Sequence, residues 1–193
     1  MKNIVLIGFM GTGKTSVGRL LAGRLRWTFV DIDKKIEAEQ KMTIAEIFTK
    51  HGEEYFRQKE REMISRISRY RSAVIATGGG VVLFPESMNR LRSTGIIIAL
   101  TASVANIVER TGRRNTRPLL DRPDRAQFIA ELLHKRAGLY RQADYSINTD
   151  HSSPHQTVDK IIAFLGQEGH SHVRSPGGSA ERSVHHLHRT NRD

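Results

Sequence analysis

The segment Gly8-Phe9-Met10-Gly11-Thr12-Gly13-Lys14-Thr15 fits G-x-x-x-x-G-K-[ST]. Glycines at this spacing let the backbone fold into a nest whose N–H groups aim at phosphate oxygens, and a helix beginning at Lys14 turns its positive end to the same anion. In such a loop Lys14 lies against the β- and γ-phosphates and the Thr15 hydroxyl is a Mg²⁺ ligand. The segment therefore predicts a nucleoside triphosphate site. Asp31-Ile32-Asp33 supplies two carboxylates at i, i+2, which point the same way in extended chain. Phosphoryl transfer uses one carboxylate around Mg²⁺ and often a second to take the proton of the attacking hydroxyl. Asp33 could equally cap a helix beginning at Lys34-Lys35-Ile36, and both roles can coexist. Gly78-Gly79-Gly80 contributes no side chains to packing, so it marks either backbone approaching a ligand or a tight turn. Arg57 stands three residues before Glu60 on a helical pattern. The pair is either an ordinary intrahelical ion pair or a carboxylate aiming a guanidinium at a substrate carboxylate.

Residues so far apart in the chain meet only if the fold gathers them. Short β-branched runs at Ile4–Ile7, Thr28–Val30, Ala73–Ala76, Ile96–Leu100 and Tyr145–Ile147 alternate with helical patterns, which predicts β-α units and a five-stranded parallel sheet. Val17, Leu20, Leu21 and Leu25 share one helical face over Lys14–Leu25, as do Phe56, Met63, Ile64 and Ile67 over Glu54–Ile67. Helices on both faces give an α/β chain in three layers. In an open parallel sheet all strands end at one edge, so the loops after them converge in one crevice.

One domain is expected over residues 1–165. Within it, Thr111–Asp124 carries Gly112, Asn115, Pro118, Pro123 and four arginines, and is expected to be an irregular, mobile lid or else a solvated loop. Residues 166–193 hold five of the nine histidines, four glycines and no sustained apolar period, and are expected to be a disordered His/Arg/Gly-rich tail. The His185-His186-Leu187-His188 cluster has no evident packed second shell to make it a metal site.

The chain has 193 residues, no cysteine, and 31 Lys and Arg against 20 Asp and Glu, for a net charge of +11. Disulfides and thiolate chemistry are excluded, and an anionic partner is expected. No apolar run is long enough for a membrane span, and Met1–Ile7 passes directly into the glycine loop, so a soluble, cytoplasmic protein without a membrane partner is expected.

From about Lys2 to Leu165 the joint pattern resembles the shikimate kinases, small P-loop kinases of aromatic amino-acid biosynthesis. The glycine loop, continued by Ser16 and Gly18, is similar to the family's nucleotide loop, which puts Gly11, Thr12, Gly13, Lys14, Thr15 and Ser16 on ATP. Val30-Asp31-Ile32-Asp33 resembles its D-x-D, implying Asp31 with Thr15 in the magnesium shell and Asp33 on the shikimate hydroxyls as base. Phe56-Arg57-Gln58-Lys59-Glu60 resembles its F-R-x-x-E, whose arginine holds the substrate carboxylate beside the glycines here at Gly78, Gly79 and Gly80. The resemblance further implies Arg117, in Arg117-Pro118-Leu119-Leu120, as the lid arginine on the ATP phosphates, Arg136 as a second carboxylate ligand, and Arg110 and Pro154 around adenine. It implies a P-loop fold and Mg²⁺- and ATP-dependent phosphorylation of the shikimate 3-hydroxyl; a monomer without a nucleic-acid partner is expected. The tail after Leu165 and the pair Arg113-Arg114 depart from the family pattern. A related kinase of gluconate or another hydroxy acid is the enzymatic alternative. A nucleic-acid-binding P-loop protein is the other, although no basic stripe interleaved with aromatics appears.

Overall fold

β-Branched and aliphatic runs with no polar alternation favour strands covered on both faces, and the five expected strands all form. In the computed structural model, which describes residues 1–113 and 120–167, they are β1 (Asn3–Ile7), β2 (Thr28–Asp31), β3 (Ala73–Ala76), β4 (Gly95–Thr101) and β5 (Tyr145–Asn148). They make one parallel sheet in the order β2-β3-β1-β4-β5, with Leu6 opposite Ala76 on one side and Ile98 on the other. Because β1 lies between β3 and β4, connections from its two sides diverge at its end, where the glycine loop begins.

The helices among the described residues are α1 (Lys14–Leu25), α2 (Ile32–Gln40), α3 (Ile44–Ile67), α4 (Pro85–Thr94), α5 (Val104–Gly112), α6 (Arg125–Tyr140) and α7 (Pro154–Gln167), with a 3-10 turn at Val81–Leu83. Alternate residues of β1 serve two cores. Val5 and Ile7 pack with Ile36, Ile64, Leu91 and Ile129 from α2, α3, α4 and α6, while Ile4 and Leu6 pack with Val17, Leu21, Val158 and Ile161 from α1 and α7. Each fully buried Ile, Leu or Val contributes about 1.5–3 kcal/mol against exposure, so the two layers anchor the strand ends rigidly. Asn3 is buried yet satisfied. Its amide donates to the Tyr70 carbonyl at 2.8 Å and its oxygen accepts from the Ala73 N–H at 3.1 Å, tying the entry of β3 to β1.

Three local features differ from the sequence expectations. The extended run of β2 ends at Asp31, not Asp33, because the Asp31 carboxylate accepts the Lys34 N–H at 3.1 Å and starts α2 at Ile32. Asp31 is thus the cap, and Asp33 sits in the first turn. The helix expected over Glu54–Ile67 forms as the second half of α3; what was not expected is a first half that starts at Ile44 under a Thr43 cap and meets it at Gly52, whose φ of 83° and ψ of 171° are far from helical. Thr111 and Gly112 belong to α5, and Leu120 is buried in the core. The lid expectation therefore reduces to the segment between these anchors, of which residues 114–119, including Arg117, lie outside the described residues. At the other end α7 continues through Gln167, two residues past Leu165, and the rest of the expected tail, 168–193, also lies outside them. Among the described residues no helix is long and apolar enough to cross a membrane.

Candidate active site

The nucleotide half is built at the end of β1. Gly11 and Gly13 take φ of 83° and 95°, a region open to glycine, and wrap the loop around the first turn of α1. That helix has no side-chain cap, which leaves its first N–H groups to whatever the loop holds. The Lys14 ammonium is folded onto the loop, donating to the Gly8 carbonyl at 2.6 Å and the Phe9 carbonyl at 2.9 Å. The Thr15 hydroxyl donates to Asp31 Oδ2 at 3.0 Å, so the hydroxyl and carboxylate expected around Mg²⁺ do meet. Ser16 is exposed on the same turn. Arg110, from the last turn of α5, donates to the Gly11 carbonyl at 3.2 Å and to Thr149 Oγ1 and O at 3.2 and 3.1 Å. Pro154 is exposed at the start of α7.

The residues expected to hold the acceptor gather around the three glycines. A Cβ on Gly78 would lie 2.8 Å from Asp33 Oδ1 and 3.1 Å from Glu60 Oε2, and one on Gly80 would lie 2.6 Å from an Arg57 guanidinium nitrogen. A Cβ on Gly79 would lie 3.4 Å from the Met10 N–H nitrogen and 3.9 Å from the Gly8 oxygen of the phosphate loop. A side chain at Gly78 or Gly80 would displace the carboxylates or the guanidinium packed there, whereas one at Gly79 would make only ordinary contacts with the loop. Arg136, buried to 8% exposure, donates to the Gly79 carbonyl at 3.2 Å with its guanidinium 5.5 Å from the centre of the Phe9 ring. Arg57 and Arg136 thus flank one glycine run, and the same run joins Asp33 to the loop that Lys14 grips.

The electrostatics of this half turn on Glu60. Only 2% exposed, it receives the Arg57 guanidinium at 2.9 Å, so the pair is a buried strut instead of a surface ion pair. Arg57 also lies 5.2 and 5.0 Å from the ring centres of Phe56 and Phe84, and 3.5 Å from Glu53. Burial pushes the Glu60 carboxyl above its ordinary value, opposed by Arg57 and reinforced by the nearby charge of Asp33. Tyr140, one turn beyond Arg136, is likewise buried, and burial raises its phenol against the influence of Arg136.

Two residues of consequence carried no signal in the sequence. Thr149, at the end of β5, is buried with Oγ1 3.2 Å from the Thr12 carbonyl and 3.1 Å from the Thr101 carbonyl. Its one proton serves either carbonyl while its oxygen accepts from Arg110, so it ties β4, β5 and the phosphate loop together. Arg125, at the start of α6, donates to the Val108 carbonyl at 3.0 Å and to the Thr111 hydroxyl. A lone threonine or arginine with partners scattered through the chain has no spacing to read.

A family model described as shikimate kinase matches residues 10–166. The chain is 49% identical over 164 residues to a shikimate kinase of Caldicellulosiruptor saccharolyticus, covering 85% of this chain and 95% of the relative. It is 52% identical over 162 residues to one of Thermodesulfovibrio yellowstonii, covering 84% and 94%. The solved shikimate kinase from Acinetobacter baumannii in complex with shikimate superposes with a TM-score of 0.84 at 36% identity, over 88% of this chain and 95% of that one. A gluconokinase from Sinorhizobium meliloti covers 88% of this chain and 94% of its own at a TM-score of 0.56 and 16% identity, a likeness of fold alone. With a family model matched over residues 10–166 and relatives about half identical along nearly their whole length, the chain belongs to the shikimate kinase family.

Proposed function

We infer that the chain transfers the γ-phosphoryl group of ATP to the 3-hydroxyl of shikimate, giving shikimate 3-phosphate and ADP. The observation that carries this assignment is the glycine run Gly78–Gly80, which abuts the phosphate loop at Met10 and Gly8 and the acceptor groups Asp33, Glu60 and Arg57. Phosphate donor and acceptor would therefore be held end to end along one rim. Arg57 and Arg136 bind the ring carboxylate; two guanidinium forks suit a planar carboxylate better than two ammonium groups would. With the far end of the ring held, the reacting hydroxyl falls beside Asp33, which orients it and takes its proton late in the transfer. Lys14 moves from the Gly8 and Phe9 carbonyls to the phosphate oxygens, where its charge offsets the negative charge spread over the γ-phosphoryl group. Arg117 adds a second cation there.

The Thr15 hydroxyl and Asp31 carboxylate fit Mg²⁺, a hard cation that takes one or two protein oxygens and completes its shell with phosphate and water. When bound it neutralises charge on the β- and γ-phosphates. Arg110 and Pro154 border the adenine. The chain acts as a cytoplasmic monomer, with residues 168–193 dispensable for catalysis.

Product analysis tests the assignment. Incubation with ATP, Mg²⁺ and shikimate should give one phosphate ester, with phosphorus coupling to the proton at ring position 3 by NMR. An ester at another position, or preferential phosphorylation of gluconate in a parallel incubation, would contradict it.

A further inference from the structure

The last turn of α5 leans on the phosphate loop through two successive residues. Arg110 donates to the Gly11 carbonyl at 3.2 Å, and a Cβ on Gly11 would lie 3.0 Å from the Thr111 methyl carbon. Thr111 has a second face. Its hydroxyl donates to the Ile107 carbonyl at 2.6 Å and accepts from Arg125, whose same nitrogen also donates to the Val108 carbonyl at 3.0 Å. A Cβ on Gly112 would lie 3.1 and 3.6 Å from the two terminal nitrogens of Arg125 and 3.8 Å from its central carbon, so the guanidinium meets the end of α5 edge-on with its terminal nitrogens. A cation there suits the carbonyl end of a helix dipole. A simple clamp between α5 and α6 would need no more. Thr111, however, joins the clamp to the loop: its hydroxyl belongs to Arg125 and its methyl to Gly11, so displacement at one is felt at the other.

We propose that Arg125 is a positioning residue for the nucleotide, acting through Thr111 to hold the end of α5, and with it Arg110 and Gly11, at the height the phosphates require. It touches neither substrate. The proposal rests on the assignment of ATP to the Gly8–Thr15 loop.

The test is calorimetric titration of the full chain with ADP in the presence of Mg²⁺. Thr111→Val keeps the shape against Gly11 and removes the acceptor for Arg125; Thr111→Ser keeps the hydroxyl and removes the methyl. Thr111→Val should weaken ADP binding roughly tenfold, the scale of one lost charge-assisted hydrogen bond acting through the site, and Thr111→Ser roughly fourfold, the scale of one buried methyl group. Arg125→Ala should match Thr111→Val, and the double variant should be no weaker than either alone, because both break one path. Arg125→Lys, which keeps the charge and the fold but not the two-point reach, should recover part of the loss. The KM for shikimate should stay within about twofold of the parent, since the path ends on the phosphate side. Variants that melt at lower temperature yet bind ADP as tightly as the parent, or losses that simply add, would overturn the proposal and leave a structural clamp. The titration needs no acceptor, so tight ADP binding without shikimate-dependent turnover would sink the shikimate assignment and not this one.

Discussion

Replacing Gly80 by alanine isolates the acceptor clamp from the fold. Gly80 has φ of −94° and ψ of −2°, which alanine adopts without left-handed strain, so the backbone has no cause to move. The new methyl would lie 2.6 Å from one Arg57 nitrogen and 3.1 Å from the guanidinium carbon. An ordinary contact starts near 3.4 Å, so the guanidinium must retreat by roughly 1 Å. That retreat breaks the 2.9 Å bond to Glu60 that aims it. A charge-assisted hydrogen bond is worth about 1.5–3 kcal/mol, and a 1 Å misplacement near a reacting centre costs about a hundredfold in rate. Gly80→Ala should therefore raise the KM for shikimate by roughly 10- to 100-fold. The KM for ATP should stay within about twofold, since the phosphate loop is not touched. Because the displaced atoms end a long side chain, the melting temperature should fall by only a few degrees. Initial rates from a coupled ADP assay over a grid of both substrates, with thermal melts of both proteins, settle it. Equal loss of both substrates would show that Arg57 is structural, and an unchanged KM for shikimate would remove it from the acceptor site.

Asp33→Asn keeps the size of the side chain and removes the base. The turnover number should drop by roughly 10²- to 10⁴-fold with the melting temperature nearly unchanged, and near-normal turnover would deny Asp33 its role. Gly52→Ala meets nothing within 4 Å, so its cost is the backbone alone: at φ 83° and ψ 171° about 1–3 kcal/mol by denaturant unfolding, and a neutral result would contradict the break in α3. Glu60 gives a pH signature. Burial raises its carboxyl above the ordinary 4.5, so the folded chain holds its proton in a range where the unfolded chain has released it. Stability relative to Glu60→Gln should then fall as pH rises from about 4.5 through the raised value and level off beyond it. A relative stability that rises over that window would mean the Arg57 pairing outweighs burial.

The parts of this molecule most legible in sequence are those whose physics is local. The glycine loop declares itself through spacing, and Ile4–Ile7 or Ile96–Leu100 can hardly be other than buried strands. Asp31-Ile32-Asp33 was half legible. Alternation reads as strand, but the carboxylate of Asp31 caps Lys34 and turns the chain into a helix one residue later, and only that hydrogen bond distinguishes the two. In the helical geometry Asp33 lies in the first turn of α2, with Oδ1 2.8 Å from where a Cβ on Gly78 would stand. The glycines at 78–80 left a ligand approach and a tight turn open; the chain does turn there, with the Val81 N–H donating to the Gly78 carbonyl, and the side chains that crowd Gly78 and Gly80 come from α2 and α3, whose packing has no local signal. Thr149 and Arg125 were invisible because their partners, spread from Thr12 to Thr111, follow no period.

A triphosphate and a ring acid held end to end on one sheet edge should react with each other there. ADP formation from ATP and Mg²⁺, measured with and without shikimate, tests it most directly. ADP release should be rapid, saturate with shikimate, and nearly vanish without it or in Lys14→Ala. ADP release indifferent to shikimate, or undiminished in Lys14→Ala, would contradict it.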